Sequence, residues 1–288
     1  MISVPSASTL PGGRNALERL ARFGYGARGA VYVLVGGLAL LAAFGGGRPG
    51  DSHDALRKVL VGPFGAVLVG LIALGLLAFA LWRAVEAVTD ADRRGTSLKG
   101  LVVRGAHLIS AFLYVGLAGT AASLSLGLGF GGGDGVHDGT AWLLSQPMGR
   151  WLVALVGLAI AATAFGYLAK AWRGDTTARL ALDGEARRRW AEPTGRFGYA
   201  ARGIAFLIIG GFVAAAAWHQ SSAEAKGLSD AFVLLRAQPY GTWLLALVAA
   251  GHAAFGAFGL IQARYRHIDA PDVDRVDDEA VAAVRRLA

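Results

Sequence analysis

The chain contains no cysteine. That absence excludes disulfides, thiolate metal sites and a cysteine nucleophile, while saying little about compartment. Charge is scarce as well: Asp, Glu, Lys and Arg make up 17% of the 288 residues, where soluble domains run near about 25%. There is no nucleotide-binding loop, zinc-hydrolase helix, Gly-x-Ser-x-Gly elbow or haem-attachment motif. The first residues, Met1–Gly13, lack a charged start followed by an apolar core. They do not read as a cleavable signal, so the first span is expected to serve as an uncleaved one.

Apolar sequence is abundant instead, at 55%. Six stretches have no Asp, Glu, Lys or Arg: Gly29–Gly47, Val59–Trp82, Gly105–Gly133, Trp151–Ala169, Gly203–Ala223 and Ala237–Ala263. Each is 19 residues or longer, and about 20 apolar residues cross a hydrocarbon core of about 30 Å. The fold class expected is an all-α integral membrane protein with six transmembrane helices.

The six spans come as three pairs. Arg22-Phe23-Gly24-Tyr25-Gly26-Ala27-Arg28-Gly29 returns as Arg196-Phe197-Gly198-Tyr199-Ala200-Ala201-Arg202-Gly203, with a weaker copy at Arg104-Gly105-Ala106-His107. A corner follows each: Pro63-Phe64-Gly65, Pro147-Met148-Gly149 and Pro239-Tyr240-Gly241. The arginines are 82 and 92 residues apart and the prolines 84 and 92, a shared period that marks an internal repeat. The division expected is a flexible N-terminus (1–14), repeat one (15–95), repeat two (96–175), repeat three (187–266) and a tail (267–288). Each repeat has an even number of spans, so the repeats keep one orientation and are expected to be related by a pseudo-threefold axis normal to the membrane.

The net charge is +8, but its distribution argues against nucleic acid. The N-terminus through Arg28, the segments Arg83–Arg104 and Lys170–Arg202, and the tail from Arg264 hold 22 of the 28 Lys and Arg. Basic residues thus alternate side by side with the spans, as the positive-inside rule expects. Both termini are expected to be cytoplasmic, in a bacterial inner membrane. The partners expected are membrane lipids, and a membrane-protein partner or second copy through small-residue faces.

Those faces are read at Gly36-Gly37, Gly116-x-x-Gly119, Gly210-Gly211 and Gly251 to Gly259, where small residues let helices approach closely. Trp82, Trp142, Trp151, Trp172, Trp218 and Trp243 lie near span ends, as an interfacial belt requires. The lead-in Asn15–Leu20 reads as a helix lying on the cytoplasmic interface. The tail segment Val276–Leu287 reads as a short amphipathic helix.

Candidate site residues fall into four groups. Arg22, Arg104 and Arg196 hold one place in all three repeats; Arg28 and Arg202 add a second tier where repeat two has Ser110. Six residues of helix rise about 9 Å, which puts the second tier inside the headgroup boundary. Two readings stand: cations lining a cytoplasmic vestibule for an anion or lipid phosphate, or snorkelling anchors. Twenty-three residues after each corner proline stand Glu86, Lys170 and Gln262. They are placed to pair with the arginines and knit the repeats, or to form a gate. His252 sits mid-span, where an ionisable group is a candidate haem ligand, proton relay or substrate contact, or a neutral imidazole bonded to a neighbouring helix.

Asp54, Asp138 and Asp230 each precede the corner proline by nine residues and are expected to be caps of short outer helices. The proline suits the first helical position of the second span. The pairs His53-Asp54 and His137-Asp138 are a weak zinc pattern, and capping accounts for the aspartates without metal. No metal, cofactor or catalytic residue is assigned.

The repeated arginine motif, the paired mid-helix glycines and the Pro-x-Gly corner resemble a bacterial family known only as domain of unknown function 1206. The resemblance runs roughly from Leu17 to Ala263, and implies three two-helix units in the inner membrane. Repeat two departs from it, with Ser110 for the second arginine and His107 for the tyrosine. No activity or catalytic residue comes with it. The function expected is a non-enzymatic scaffold or accessory subunit. The alternatives are a transporter or channel for a small solute, anion or lipid with an arginine-lined mouth, and a haem or quinone redox protein using His252.

The charge distribution makes a topology prediction. Reporter fusions at Gly50, Gly135 and Ser222 should read periplasmic, and fusions at Gly95 and Gly184 cytoplasmic. A cytoplasmic reading at Gly135 overturns the six-span order.

Overall fold

The structure, a computed structural model, describes residues 12–45, 47–91, 95, 97–128 and 135–268. The tail helix expected at 276–287, the flexible terminus through residue 11 and the glycines at 131–133 lie outside the described residues. Six helices are long and apolar enough to cross a membrane. They are α1 (Gly12–Gly45), α3 (Gly65–Thr89), α4 (Leu98–Ser125), α6 (Gly149–Arg173), α8 (Glu192–His219) and α10 (Gly241–Tyr265). Short helices α2 (Ser52–Leu60), α5 (Gly135–Leu144) and α9 (Leu228–Arg236) join the two spans of each repeat. A one-turn α7 (Gly184–Ala186) and a π turn at Arg187–Ala191 lead into α8. The Asn15–Leu20 lead-in is no separate interfacial helix. It is the first part of α1, and Leu17 and Leu20 pack against Tyr25, Phe79 and Trp82.

The second span of each repeat packs on the first span of the next: α3 on α4, α6 on α8, and α10 back on α1. This closes the three units into the expected pseudo-threefold ring. Within repeats one and three the two spans also pack, α1 on α3 and α8 on α10, but α4 and α6 have no comparable seam among the described residues. The ring is therefore open on one side.

Substitutions at matching positions account for the opening. In repeat one, Gly24 lies against the Phe79 backbone and Gly75 against the Ala27 methyl. Repeat three reproduces both contacts with Gly198 on Phe255 and Gly251 on Ala201. Repeat two has Ala106, Thr163, Ala159 and Ile109 at these places. A methyl added at Gly24 or Gly198 would fall 2.5–2.6 Å from backbone atoms, so the larger residues of repeat two cannot make this approach. All four are exposed, Ile109 at 61%.

At the short-helix end the interior is filled. Leu56 of α2 and Phe232 of α9 join Val35, Val69, Leu76 and Leu245 in one buried cluster. At the opposite end, here the basic end, the 174–183 connection is stitched to the segment after α10: Ala181 N–H donates to the Tyr265 carbonyl at 2.7 Å and His267 N–H to that of Arg179 at 2.8 Å.

Several local expectations need correction. The corner proline is not the first helical residue. It precedes the N-cap residue, where Phe64, Met148 and Tyr240 adopt φ of 57°, 62° and 60°. The following glycine closes a tight turn, its N–H bonding the carbonyl of the residue before the proline, at 3.0, 2.9 and 2.8 Å. Asp54 and Asp230 are not N-cap residues but sit at the third helical position. From there each accepts the N–H of the N-cap residue, Asp51 and Gly227, at 3.3 Å. Asp51 caps α2 directly, accepting from His53 and Asp54 N–H groups at 2.8 and 3.2 Å. Asp138 lies in the first turn of α5, with His137 Nδ1 at 3.3 Å.

Five of the six tryptophans read as a belt are exposed, but Trp82 is 2% exposed, enclosed by the α1–α3 pair. Gly37, Gly116, Gly119 and Gly211 make no helix contact, whereas Gly36, Gly256 and Gly259 form the α1–α10 seam and Gly210 meets α6. The register of each crossing, invisible in a single sequence, decides which glycine of a pair is used.

Gly241 and Gly211 give a matched test. A methyl at Gly241 would collide with the Arg236 carbonyl, while one at Gly211 meets nothing. Gly241→Ala should therefore cost about 1–3 kcal/mol, the usual penalty of overpacking, seen as a lower melting temperature in detergent. Gly211→Ala should leave it unchanged or raise it.

Candidate functional site

The three repeat arginines have one structural task. Arg104 donates to the carbonyls of Ala87 (2.6 Å) and Val88 (3.1 Å) at the end of α3. Arg196 does the same to Ala171 (2.9 Å) and Trp172 (3.4 Å) of α6, and Arg22 to Ala263 (3.0 Å) and Arg264 (2.7 Å) of α10. Each caps the final, otherwise unpaired carbonyls of the helix it packs on, where positive charge also meets the negative end of the helix dipole. Arg22 and Arg196 are further held by Glu18 and Glu192. These three side chains tie the ring at its basic end and do not line a vestibule.

Glu86, Lys170 and Gln262 do not pair with those arginines. Glu86, 1% exposed, accepts from Arg83 at 2.8 Å and from Arg266 at 3.1 Å, with His107 Nδ1 of α4 at 3.9 Å. It thereby joins α3, α4 and the segment after α10. A cavity of about 350 Å³ opens beside it, lined among others by Trp82, Arg179 and Arg266. Lys170 donates to the Tyr199 hydroxyl at 3.2 Å and lies over its ring. Gln262 is buried, with its side-chain oxygen unpartnered.

Arg28 and Arg202 are different. They are 7% and 9% exposed, and neither forms an ion pair with a carboxylate among the described residues. Ala201, beside Arg202, touches Gly251 in the middle of α10, and Ala27, beside Arg28, touches Gly75 in the middle of α3. Both cations therefore lie at mid-span, level with the middle of α10 and α3. Both guanidinium carbons stand over the Phe255 ring, at 4.7 and 4.9 Å. Arg28 also lies over Phe79 (5.1 Å) and Tyr32 (5.9 Å). Arg202 lies over Tyr32 (4.5 Å), Phe206 (4.6 Å) and Tyr167 (5.7 Å). The Tyr114 hydroxyl of α4 meets that of Tyr32 at 3.4 Å, and Arg202 Nε has no hydrogen-bond partner.

The glycine contacts seat this aromatic box. Gly24 and Gly198 let Phe79 and Phe255 approach α1 and α8 beneath the arginines. Tyr32, Tyr114 and Phe206 follow the repeat arginines by ten residues and encircle the same layer. Sequence reading missed all five. The signal was there in the recurrence of an aromatic at a fixed offset, but its meaning depends on how the repeats close. An isolated arginine at mid-bilayer costs about 2.5–3.5 kcal/mol on insertion scales. A desolvated cation–π contact returns about 2 kcal/mol, so the ring stack offsets much of the cost and leaves the positive charge unneutralised.

His252 is fully buried. Its Nδ1 lies 2.9 Å from the Val248 carbonyl of its own helix, its ring edge meets Phe232 of α9, and Nε2 is unpartnered. Its hydrogen bond thus stays within its own helix. Among the described residues no three His, Cys, Asp or Glu side chains converge as metal ligands.

Comparison with known proteins places this geometry in a family. The model of the family described as Domain of Unknown Function (DUF1206) matches three times, at residues 23–90, 105–174 and 197–266. An uncharacterized protein of Bacillus subtilis (strain 168) is 31% identical over 254 residues, which is 88% of this chain and 92% of that protein. No solved structure matches the chain.

The Glu86 cluster predicts a large, local effect. Glu86→Gln leaves Arg83 and Arg266 without their carboxylate and should lower stability by about 3–5 kcal/mol, the cost of breaking a buried pair from one side. Lys170→Gln, which removes a bond to the Tyr199 hydroxyl and a cation from over its ring, should cost about 1–2 kcal/mol. Denaturant unfolding of both variants in detergent checks the ranking.

Proposed function

We propose that this chain, which belongs to the DUF1206 family of membrane proteins, binds an anion between Arg28 and Arg202 and acts as a carrier or receptor for it. One observation carries the reading: two arginines more than nine-tenths buried at mid-span with no carboxylate partner among the described residues. A scaffold gains nothing from retaining two unneutralised cations in hydrocarbon, whereas a binding site for an anion is completed by them. Planar guanidinium groups suit a phosphate or carboxylate, which takes paired N–H donors. The surrounding Tyr32, Phe79, Phe206 and Phe255 hold the forks in place and exclude water, which strengthens the attraction. The layer offers binding groups, so the role proposed is non-enzymatic. The Lys and Arg distribution supports placing the protein in the plasma membrane with both termini cytoplasmic and the Arg22, Arg104 and Arg196 caps on that side.

The purified chain should be stabilised by inorganic phosphate, and Arg28→Gln with Arg202→Gln should abolish that shift. Each lost charged donor is worth about 1.5–3 kcal/mol of anion affinity, or roughly tenfold or more. In anion-free detergent the double variant should melt no lower than the parent, because no native ion pair has been removed. A marked loss of stability with an unchanged phosphate response would show both arginines to be structural.

A further inference from the structure

We propose that the anion held by Arg28 and Arg202 is the headgroup of a membrane lipid, admitted sideways through the opening between α4 and α6. The inference rests on the arginine-layer reading and adds the ligand's source and route.

Three routes to the layer are conceivable, and two are filled. From the short-helix end the way is occupied by Leu56, Phe232, Val35, Val69 and Leu245, all in the buried cluster. From the basic end it is crossed by Tyr25, Tyr199 and Glu86, all buried, and the cavity beside Glu86 is lined by neither Arg28 nor Arg202. The third way is lateral. Among the described residues only repeat two lacks a seam comparable to the others between its paired spans, and the four positions that would form it, Ala106, Ile109, Ala159 and Thr163, stand exposed. Their counterparts in repeats one and three are in tight contact. Behind the opening stand Tyr114 on α4 and Tyr167 on α6, both half-buried. Tyr114 reaches Tyr32, and Tyr167 flanks Arg202.

The repeat with the missing seam is also the one without its second arginine. Ser110 takes the place of Arg28 and Arg202. The two cations therefore sit in a ring whose second repeat supplies neither a third cation nor a closed pair of spans. The opening faces the bilayer at the depth of two span centres, so what passes through it comes from the lipid phase, and the charge beyond it selects an anionic headgroup. Apolar lining at Ile109 and Ala159 suits the acyl chains that must remain in the hydrocarbon while the headgroup is inside.

The test uses the full chain, with phosphatidylglycerol and phosphatidylcholine offered in nanodiscs and inorganic phosphate in detergent. Native mass spectra of the parent should retain phosphatidylglycerol at least tenfold over phosphatidylcholine. Thr163→Trp and Ala106→Trp, both at exposed positions, should each remove most of the retained lipid while the thermal shift with phosphate persists. A photo-crosslinker on Thr163→Cys, the sole thiol of that variant, should capture phosphatidylglycerol. Full lipid retention in both tryptophan variants overturns the lateral route. Phosphate binding without lipid retention in the parent overturns the lipid source and leaves a water-borne anion. Loss of neither ligand in the double Arg→Gln variant defeats the arginine-layer reading itself. A parent dimer dispersed by Thr163→Trp would make the opening an interface between copies and overturn the proposal.

Discussion

In hydrocarbon a pair of helices gains nothing by hiding leucines, so contact must come from backbones close enough to pack atom against atom. Gly24 and Gly75 provide that contact in the first repeat, and Gly198 and Gly251 in the third. The ring depends on it. Two of these glycines, Gly24 and Gly198, draw Phe79 and Phe255 under the arginines, so the aromatic box is a by-product of how the helices meet. Where alanine, isoleucine and threonine replace these contacts, the pair parts. One set of positions thus decides both where the protein is solid and where it is open.

The charged residues sort into three kinds of burial. Arg22, Arg104 and Arg196 hold helix-end carbonyls near the surface. Glu86 is deep but satisfied by two guanidinium groups. Arg28 and Arg202 are deep and stacked on rings, with no carboxylate partner among the described residues. The first two arrangements are self-sufficient, since each charged group meets carbonyls or opposite charge inside the protein. The third is stable but incomplete, and incompleteness of that kind is what separates a binding site from a brace.

Much of the fold is legible in the sequence because lipid imposes simple rules. Span length, basic-residue alternation and the repeated Arg and Pro-x-Gly marks lead directly to six helices in three units. Finer assignments fail where the partner lies on another helix. Nothing local distinguishes Arg22 from Arg28, six residues apart in one motif, yet one meets carbonyls of α10 and the other meets Phe79 and Phe255. Glu86 was expected to pair with a repeat arginine, and instead found Arg83 one turn away and Arg266, 180 residues on. Asp54 read as a cap and is one, but from the third position, because Asp51 already held the first. Trp82 read as interfacial by its place near a span end, while the lead-in of α1 folds over it.

The seam between α1 and α10 joins the first and the sixth of the six described spans. Arg22 and the Ala263 carbonyl it holds are 241 residues apart. At ordinary rates of synthesis that separation is on the order of tens of seconds. Throughout that interval α1 sits in the bilayer with its cap unmade and the groove at Gly29 and Gly36 bare. The β-bridge between Leu180 and Arg266 waits on the same event. The nascent chain is thus a partial arc whose two ends both want partners, and the arrival of one helix settles both at once. Assembly has a single closing moment, and it comes when the sixth span is made.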